Sequence, residues 1–206
     1  MAVNRPLDRE TAEEIAAIFV EVVIAPGFRP EALDVMGRKA KVRLLEVAPA
    51  HVLWGDLEFR SVPGGFLAQT PDRGRLDPEV AQVVSKRKPT DAEWEELAFA
   101  WKVVKHVKSN AIVLARDSAA VGVGAGQMSR VEAVGLAVQR AGDRAKGSVM
   151  ASDAFFPFPD GLEVLMEAGV RAVVQPGGSM RDDVVVEAAK AAGLTMYLTG
   201  SRHFYH

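Results

Sequence analysis

The stretch Leu162–Thr199, LEVLMEAGVRAVVQPGGSMRDDVVVEAAKAAGLTMYLT, decides the fold class. Leu162–Ala168 has helical spacing, Ala172–Gln175 is an apolar run of strand length, and Pro176–Ser179 is a glycine-rich turn. Asp182–Ala192 returns to helical spacing, and Thr195–Thr199 is a second strand. A strand that reaches its neighbour through a helix pairs with it in parallel, because the crossover returns the chain to the starting end. The reading is an α/β fold with a mixed sheet containing at least one parallel pair.

Working back from Asp160, Ser129 and Glu132 have the spacing of a capping box, which opens a helix that carries Val131, Val134, Leu136 and Val138 towards Arg140. Asn110–Ala115 and Ala119–Val123 form a hairpin around Arg116-Asp117-Ser118. Thr90 and Glu93 form a second capping box, and Trp94, Leu97, Ala98, Trp101, Val104 and Val107 keep one apolar face through Val107. Residues 48–88 are less regular, with Pro63-Gly64-Gly65 and Thr70-Pro71-Asp72 marking a hairpin or crossing loops. Val42–Val47 is a strand, Pro30–Met36 a helix, Val22–Ala25 a short buried strand, and Arg9–Val20 a helix.

With 206 residues, 49% of them hydrophobic, the chain can bury a core as one domain or two small lobes without a covalent or metal staple. A net charge of -2 gives no bulk reason to bind nucleic acid or an acidic membrane. The absence of cysteine removes disulfides, thiolate chemistry and Cys-based zinc sites and fits a reducing cytosol. No apolar run reaches the roughly 18 residues that span a bilayer, and Met1–Arg9 has no signal-peptide core. The expectation is a soluble cytoplasmic protein.

Four segments could carry chemistry. Gly122, Gly124 and Gly126 make a strand-to-helix turn that does not fit the dinucleotide fingerprint, since Gln127 stands where its third glycine belongs. Taken alone a structural turn is the better reading, although Arg130 opposes the dipole of the helix it opens and is better explained by a bound phosphate or carboxylate. Ser152–Gly161 holds Phe155, Phe156 and Phe158 with Pro157 and Pro159, and composition alone favours a hydrophobic plug beneath a loop over an aromatic slot for a flat heterocycle, with Asp160 accepting its N–H groups. Pro176–Ser179 lies where open α/β sheets bind ligands. Of the four histidines, His203 and His206 form no metal set and spacing alone makes them an exposed terminus, while Lys105 and His106 point about 100° apart on a helix and read as surface residues.

Taken in order, Lys108-Ser109-Asn110-Ala111-Ile112, Gly122–Arg130, Ser152–Phe158 and Arg202-His203-Phe204-Tyr205-His206 resemble the C-terminal part of AICAR formyltransferase, in the bifunctional purine biosynthesis family that also carries IMP cyclohydrolase. The resemblance covers essentially the whole chain. It implies a cytidine-deaminase-like α/β/α fold without that superfamily's zinc, and transfer of a formyl group from 10-formyltetrahydrofolate to the 5-amino group of AICAR, giving FAICAR. By resemblance, Asn110 contacts the carboxamide or ribose side of AICAR, Arg130 and Arg202 its phosphate and nucleotide, and Glu21 is an acidic nucleotide contact. Asp160 is the pterin acceptor, Phe155 and Pro157 its apolar walls, Ser179 and Met180 further folate contacts, and His206 lies near the formyl-transfer centre. Asn110 and His206 are the catalytic candidates.

The family's Lys-His-x-x-Pro segment and following Phe-Gly-Gly turn do not occur in these residues, and Lys105-His106 does not inherit their role. The resemblance therefore implies that residues 1–206 are a partial formyltransferase domain, incomplete relative to the family's, without the cyclohydrolase. It further implies a homodimer, or a complementing chain carrying the other half. A different reading is a non-catalytic nucleotide- or folate-binding module, or the partner subunit of a split enzyme.

Overall fold

The computed structural model describes residues 1–48, 56–85 and 87–205. The chain divides into two compact units, Met1–Pro71 and Asp72–His206.

In the first unit, α1 (Arg9–Ala17) is capped by Asp8, whose carboxylate accepts from the Thr11 amide at 2.9 Å. It is followed by β1 (Val22–Ala25), α2 (Pro30–Met36) and β2 (Arg43–Glu46). The strands β1 and β2 pair in parallel, while Ile15, Ala32, Val35 and Met36 of the helices enclose Leu7, Val23 and Ala25. Helix α1 stops at Ala17 rather than the expected Val20, because Ile15 is its last buried residue and Ile18 already has extended backbone. Phe19 is consequently left exposed. A hairpin of β3 (Glu58–Val62) and β4 (Gly65–Gln69) turns at Pro63-Gly64, within the span expected to hold a hairpin or crossing loops.

The second unit runs β5 (Gln82–Val83), α3 (Asp91–Val104), β6 (Ile112–Arg116), β7 (Ala119–Gly124), α4 (Arg130–Ala141), β8 (Val149–Ser152), α5 (Asp160–Glu167), β9 (Ala172–Gln175), α6 (Asp182–Ala191) and β10 (Thr195–Leu198). These strands form one mixed sheet in the order β5-β10-β9-β8-β6-β7, with β8, β9 and β10 mutually parallel and the other pairings antiparallel. Successive side chains alternate between its faces. Val113, Val149, Ala151, Val174 and Tyr197 pack with Leu97, Trp101 and Val104 of α3. Ile112, Leu114, Met150, Val173 and Met196 pack with Val134, Leu165 and Val185 of α4, α5 and α6. Helices thus cover both faces of the sheet.

Both capping boxes are formed, at Thr90 with Glu93 and at Ser129 with Glu132. Glu93 is buried and also receives both terminal nitrogens of Arg87 at 2.9 and 2.8 Å, which holds its carboxyl down at about 2. Asp117 and Ser118 turn the β6–β7 hairpin with positive φ angles of 53° and 57°, the backbone a tight two-residue turn requires. The central strand β8 carries no distinctive sequence signal. Val-Met-Ala-Ser is only four residues long and fits a buried helix as well as a strand. Among the described residues, no helix is long and apolar enough to cross a membrane.

Gly122 and Gly124 lie in β7, against α4. A Cβ on Gly124 would stand 1.9 Å from the Ala133 carbonyl oxygen, and one on Gly122 would stand 2.1 Å from that of Ala137. Their role is close helix–strand packing. Gly135 lies in α4 with nothing within 4 Å of its would-be Cβ. Gly124→Ala should therefore lose about 1–3 kcal/mol or more through overpacking, whereas Gly135→Ala should gain about 0.5–1 kcal/mol of helix propensity. Urea titrations of both variants at neutral pH check the opposite signs.

Candidate functional site

Strand register gathers one end of the sheet. Ile112, at the start of β6, stands opposite both Gly124 at the end of β7 and Ser152 at the end of β8. Ala151 pairs with Val174, and Gln175 with Leu198, so β9 and β10 finish at the same end. Asn110, the turn Ala125–Met128, Asp153, Pro176–Ser179 and Thr199–Arg202 therefore all emerge together. Ligands of open α/β sheets bind at such ends.

At the centre is Asp153, on the chain leaving β8. It is 1% exposed, and its carboxylate accepts from the Ala111 amide at 3.1 Å, from the Ser109 hydroxyl and from Nη1 of Arg130. Arg130 Nη1 also donates to the Ala111 carbonyl at 3.2 Å, and Nη2 to Oδ1 of Asn110 at 2.9 Å. The Asn110 amide nitrogen donates to the carbonyls of Gln127 at 2.9 Å and Met128 at 3.4 Å. The carboxylate that answers Arg130 is thus the chain's own. Three of the five guanidinium hydrogens are engaged in these bonds, and Nε is buried without an acceptor among the described residues. The sequence offered one signal for Asp153, an acidic residue separated by one position from the short apolar run Val149–Ala151, but nothing that paired it with Arg130.

The aromatic stretch is divided between buried and open positions. Phe156 is fully buried, its amide donating to Gln175 Oε1 at 2.8 Å. Phe155 and Pro157 are half-buried, and Phe158 is exposed. The Arg202 guanidinium lies 4.9 Å from the Phe155 ring centre and close above Gly178, whose missing Cβ would meet it at 3.2 Å. Arg181 lies 4.7 Å from the centre of Phe158. Asp160 opens α5 in an exposed position, with Oδ1 accepting from the Gly161 amide at 2.7 Å. Ser179 is half-buried and Met180 fully exposed. Asn110, Arg130, Phe155, Pro157, Asp160, Ser179, Met180 and Arg202 thus all lie at or beside this sheet end. Glu21 belongs to the first unit, where it is exposed beside Lys41 and Arg43 in a depression of about 510 Å³. His206 and His51 lie outside the described residues.

The C-terminal tail is pinned to this end, contrary to the exposed terminus that spacing suggests. His203 donates its amide to the Asp153 carbonyl at 2.9 Å, and the Ser109 amide donates to the Tyr205 carbonyl at 2.9 Å. The His203 ring is 1% exposed, with Nδ1 2.6 Å from Asp72 Oδ2 and its centre 4.4 Å from a ring of Trp101. Burial pushes its pKa below the ordinary value, outweighing the opposite pull of Asp72. Lys105 reaches the carbonyls of Asp72 and Gly74 at 3.2 and 3.3 Å, and His106 is exposed. Among the described residues, no group of three or more His, Cys, Asp or Glu is placed to hold a metal.

A family model described as "AICARFT/IMPCHase bienzyme" matches residues 1–140. The chain belongs to this family. It is 53% identical to a bifunctional purine biosynthesis protein PurH of Roseobacter denitrificans and 50% identical to that of Bacillus mycoides, each over all of this chain. It spans 41% and 40% of the length of these two relatives. A solved structure of Acinetobacter baumannii RibD shares 21% identity over 52% of this chain and 34% of that one, with a TM-score of 0.34, too slight to bear on the fold.

Removing the partner of a buried charge costs more than the pair contributes. Asp153→Asn should therefore lower stability by about 3–5 kcal/mol, whereas a joint Asp153→Leu, Arg130→Met replacement should recover much of it; urea unfolding of the three proteins measures this.

An unfolded chain takes up a proton at His203 before the folded one does, because burial lowers the folded pKa. This contribution to stability is complete above about pH 6.5 and falls as acid is added below it. The urea midpoint should drop between pH 7.5 and pH 5.5, and the drop should shrink in His203→Asn.

Proposed function

We propose that this chain supplies the nucleotide- and folate-facing surface of an AICAR formyltransferase of de novo purine biosynthesis, working in the cytoplasm on a cytidine-deaminase-like α/β/α frame. Residues 1–206 form part of that domain. The observation that carries the reading is one sheet end that presents a fixed amide, a flat aromatic wall and an exposed guanidinium lying on that wall.

In the reaction, the 5-amino nitrogen of AICAR bonds to the formyl carbon of 10-formyltetrahydrofolate, the bond from that carbon to N10 breaks, and the proton lost by the amine is matched by one gained at N10. Asn110 is held by partners on both sides of its amide, which leaves one lone pair of Oδ1 to accept an N–H of the substrate. Holding the amine this way aligns it for attack without reorganisation. Arg202 recognises the nucleotide phosphate, and Arg130 orients Asn110 while retaining one Nη2 hydrogen for the same ligand. Asp160 accepts from the pterin through its outer oxygen, against Phe155 and Pro157, with Ser179 and Met180 completing the folate side. Glu21 and His206 are proposed as a nucleotide contact and as the histidine near the transferred group.

Association is part of the proposal, as a homodimer or with a complementing chain. Parallel sheets are normally covered on both faces, yet β1 and β2 leave Ile24 and Leu45 exposed, and the hairpin of the same unit exposes Phe59, Phe66 and Leu67. The alternative, a binding module or a partner subunit that completes another active site, is favoured by Lys105, whose ammonium is engaged by main-chain carbonyls.

Calorimetric titration of the chain with AICAR and with a folate analogue tests the reading. Arg202→Ala should weaken AICAR about 10- to 100-fold, the worth of a hydrogen bond to a charged group, and Asp160→Ala should weaken the folate analogue alone. Binding of both ligands without formyl transfer supports the module. A folded chain that binds neither ligand overturns both readings.

A further inference from the structure

The residues assigned to the folate carry no positive charge. Phe155, Pro157 and Met180 are apolar, Ser179 is neutral and Asp160 is an anion. A reduced folate, however, is a flat heterocycle joined through an aminobenzoyl ring to a glutamate with two carboxylates, and those carboxylates are best recognised by a guanidinium.

Arg181 follows Met180 directly and lies 4.7 Å from the ring centre of Phe158, two residues before Asp160. Its side chain makes no ion pair among the described residues. Asp182, its neighbour, points both carboxylate oxygens elsewhere, to the amides of Gly178 at 2.6 Å and Ser179 at 3.1 Å. A guanidinium over a ring is attracted by the ring quadrupole, and that contact occupies no hydrogen-bond acceptor. Phe158, Met180 and Arg181 are all exposed. An apolar shelf therefore adjoins a cation that makes no ion pair among the described residues, between the two segments that would hold the heterocycle.

We infer that Arg181, held over Phe158, binds the carboxylate tail of the folate and so distinguishes folates that carry glutamate from those that lack it. The inference rests on the folate reading of the site.

Fluorescence or calorimetric titration of the full chain with folic acid and with pteroic acid, which lacks the glutamate, separates the two claims. Arg181→Ala should weaken folic acid about tenfold and reduce the salt dependence of its binding, while leaving pteroic acid unchanged; Arg181→Lys should fall between. Asp160→Ala should weaken both ligands. Equal effects of Arg181→Ala on both ligands, or none on either, overturn the assignment of the tail. The same selective loss in Arg202→Ala but not in Arg181→Ala would move the tail to the other arginine and equally overturn it. Failure of the folded wild-type chain to bind either ligand removes the folate reading itself, and the inference with it.

Discussion

Asp153 and Arg130 meet at the end of the central sheet, where burial leaves neither with water to replace a missing partner. An isolated charge in such a place is prohibitively unfavourable, so the pair is stable only with its remaining valences filled. Asp153 fills them with the Ala111 amide and the Ser109 hydroxyl, and Arg130 with the Ala111 carbonyl and the Asn110 side chain. These requirements bring the start of β6, the first turn of α4 and the exit of β8 to one point. The His203 amide, bound to the Asp153 carbonyl, adds the C-terminal tail. The position of Asn110 is thus a consequence of satisfying a buried carboxylate.

Local features were legible in the sequence because their causes are local. The Thr90 and Ser129 capping boxes, the Asp117-Ser118 turn and the alternation of helix and strand after Asp160 each depend on residues a few positions apart. The segments that meet at the sheet end were legible one by one. The wiring among them was not, since Asp153 and Arg130 lie 23 residues apart and meet only after β8 has inserted between β6 and β9. The strand β8 is itself too short to announce a period. His203 illustrates the converse, because a terminal histidine among polar and aromatic residues looks solvated until Trp101 and Asp72 are placed around it.

Glycine-rich turns at sheet ends invite an assignment to phosphate, and here four of their amides are already engaged. The amides of Gly126 and Gln127 donate to the carbonyls of Lys108 and Asn110, and those of Gly178 and Ser179 to Asp182. Main-chain recognition of an anion would first have to break these bonds, exchanging one satisfied donor for another with little gain. An anion at this end would meet side-chain donors more readily than these four amides. Arg202 and Arg181 each lie over a phenylalanine of one segment, Phe155 and Phe158. A free arginine gives up about 2 kcal/mol of rotamer freedom when fixed, and stacking removes part of that loss before a ligand arrives. The same prolines that keep Phe155–Phe158 out of a helix or strand hold the rings apart from regular packing. The departure from regular structure that makes this stretch conspicuous in the sequence is what allows two rings to face outward as seats for two cations.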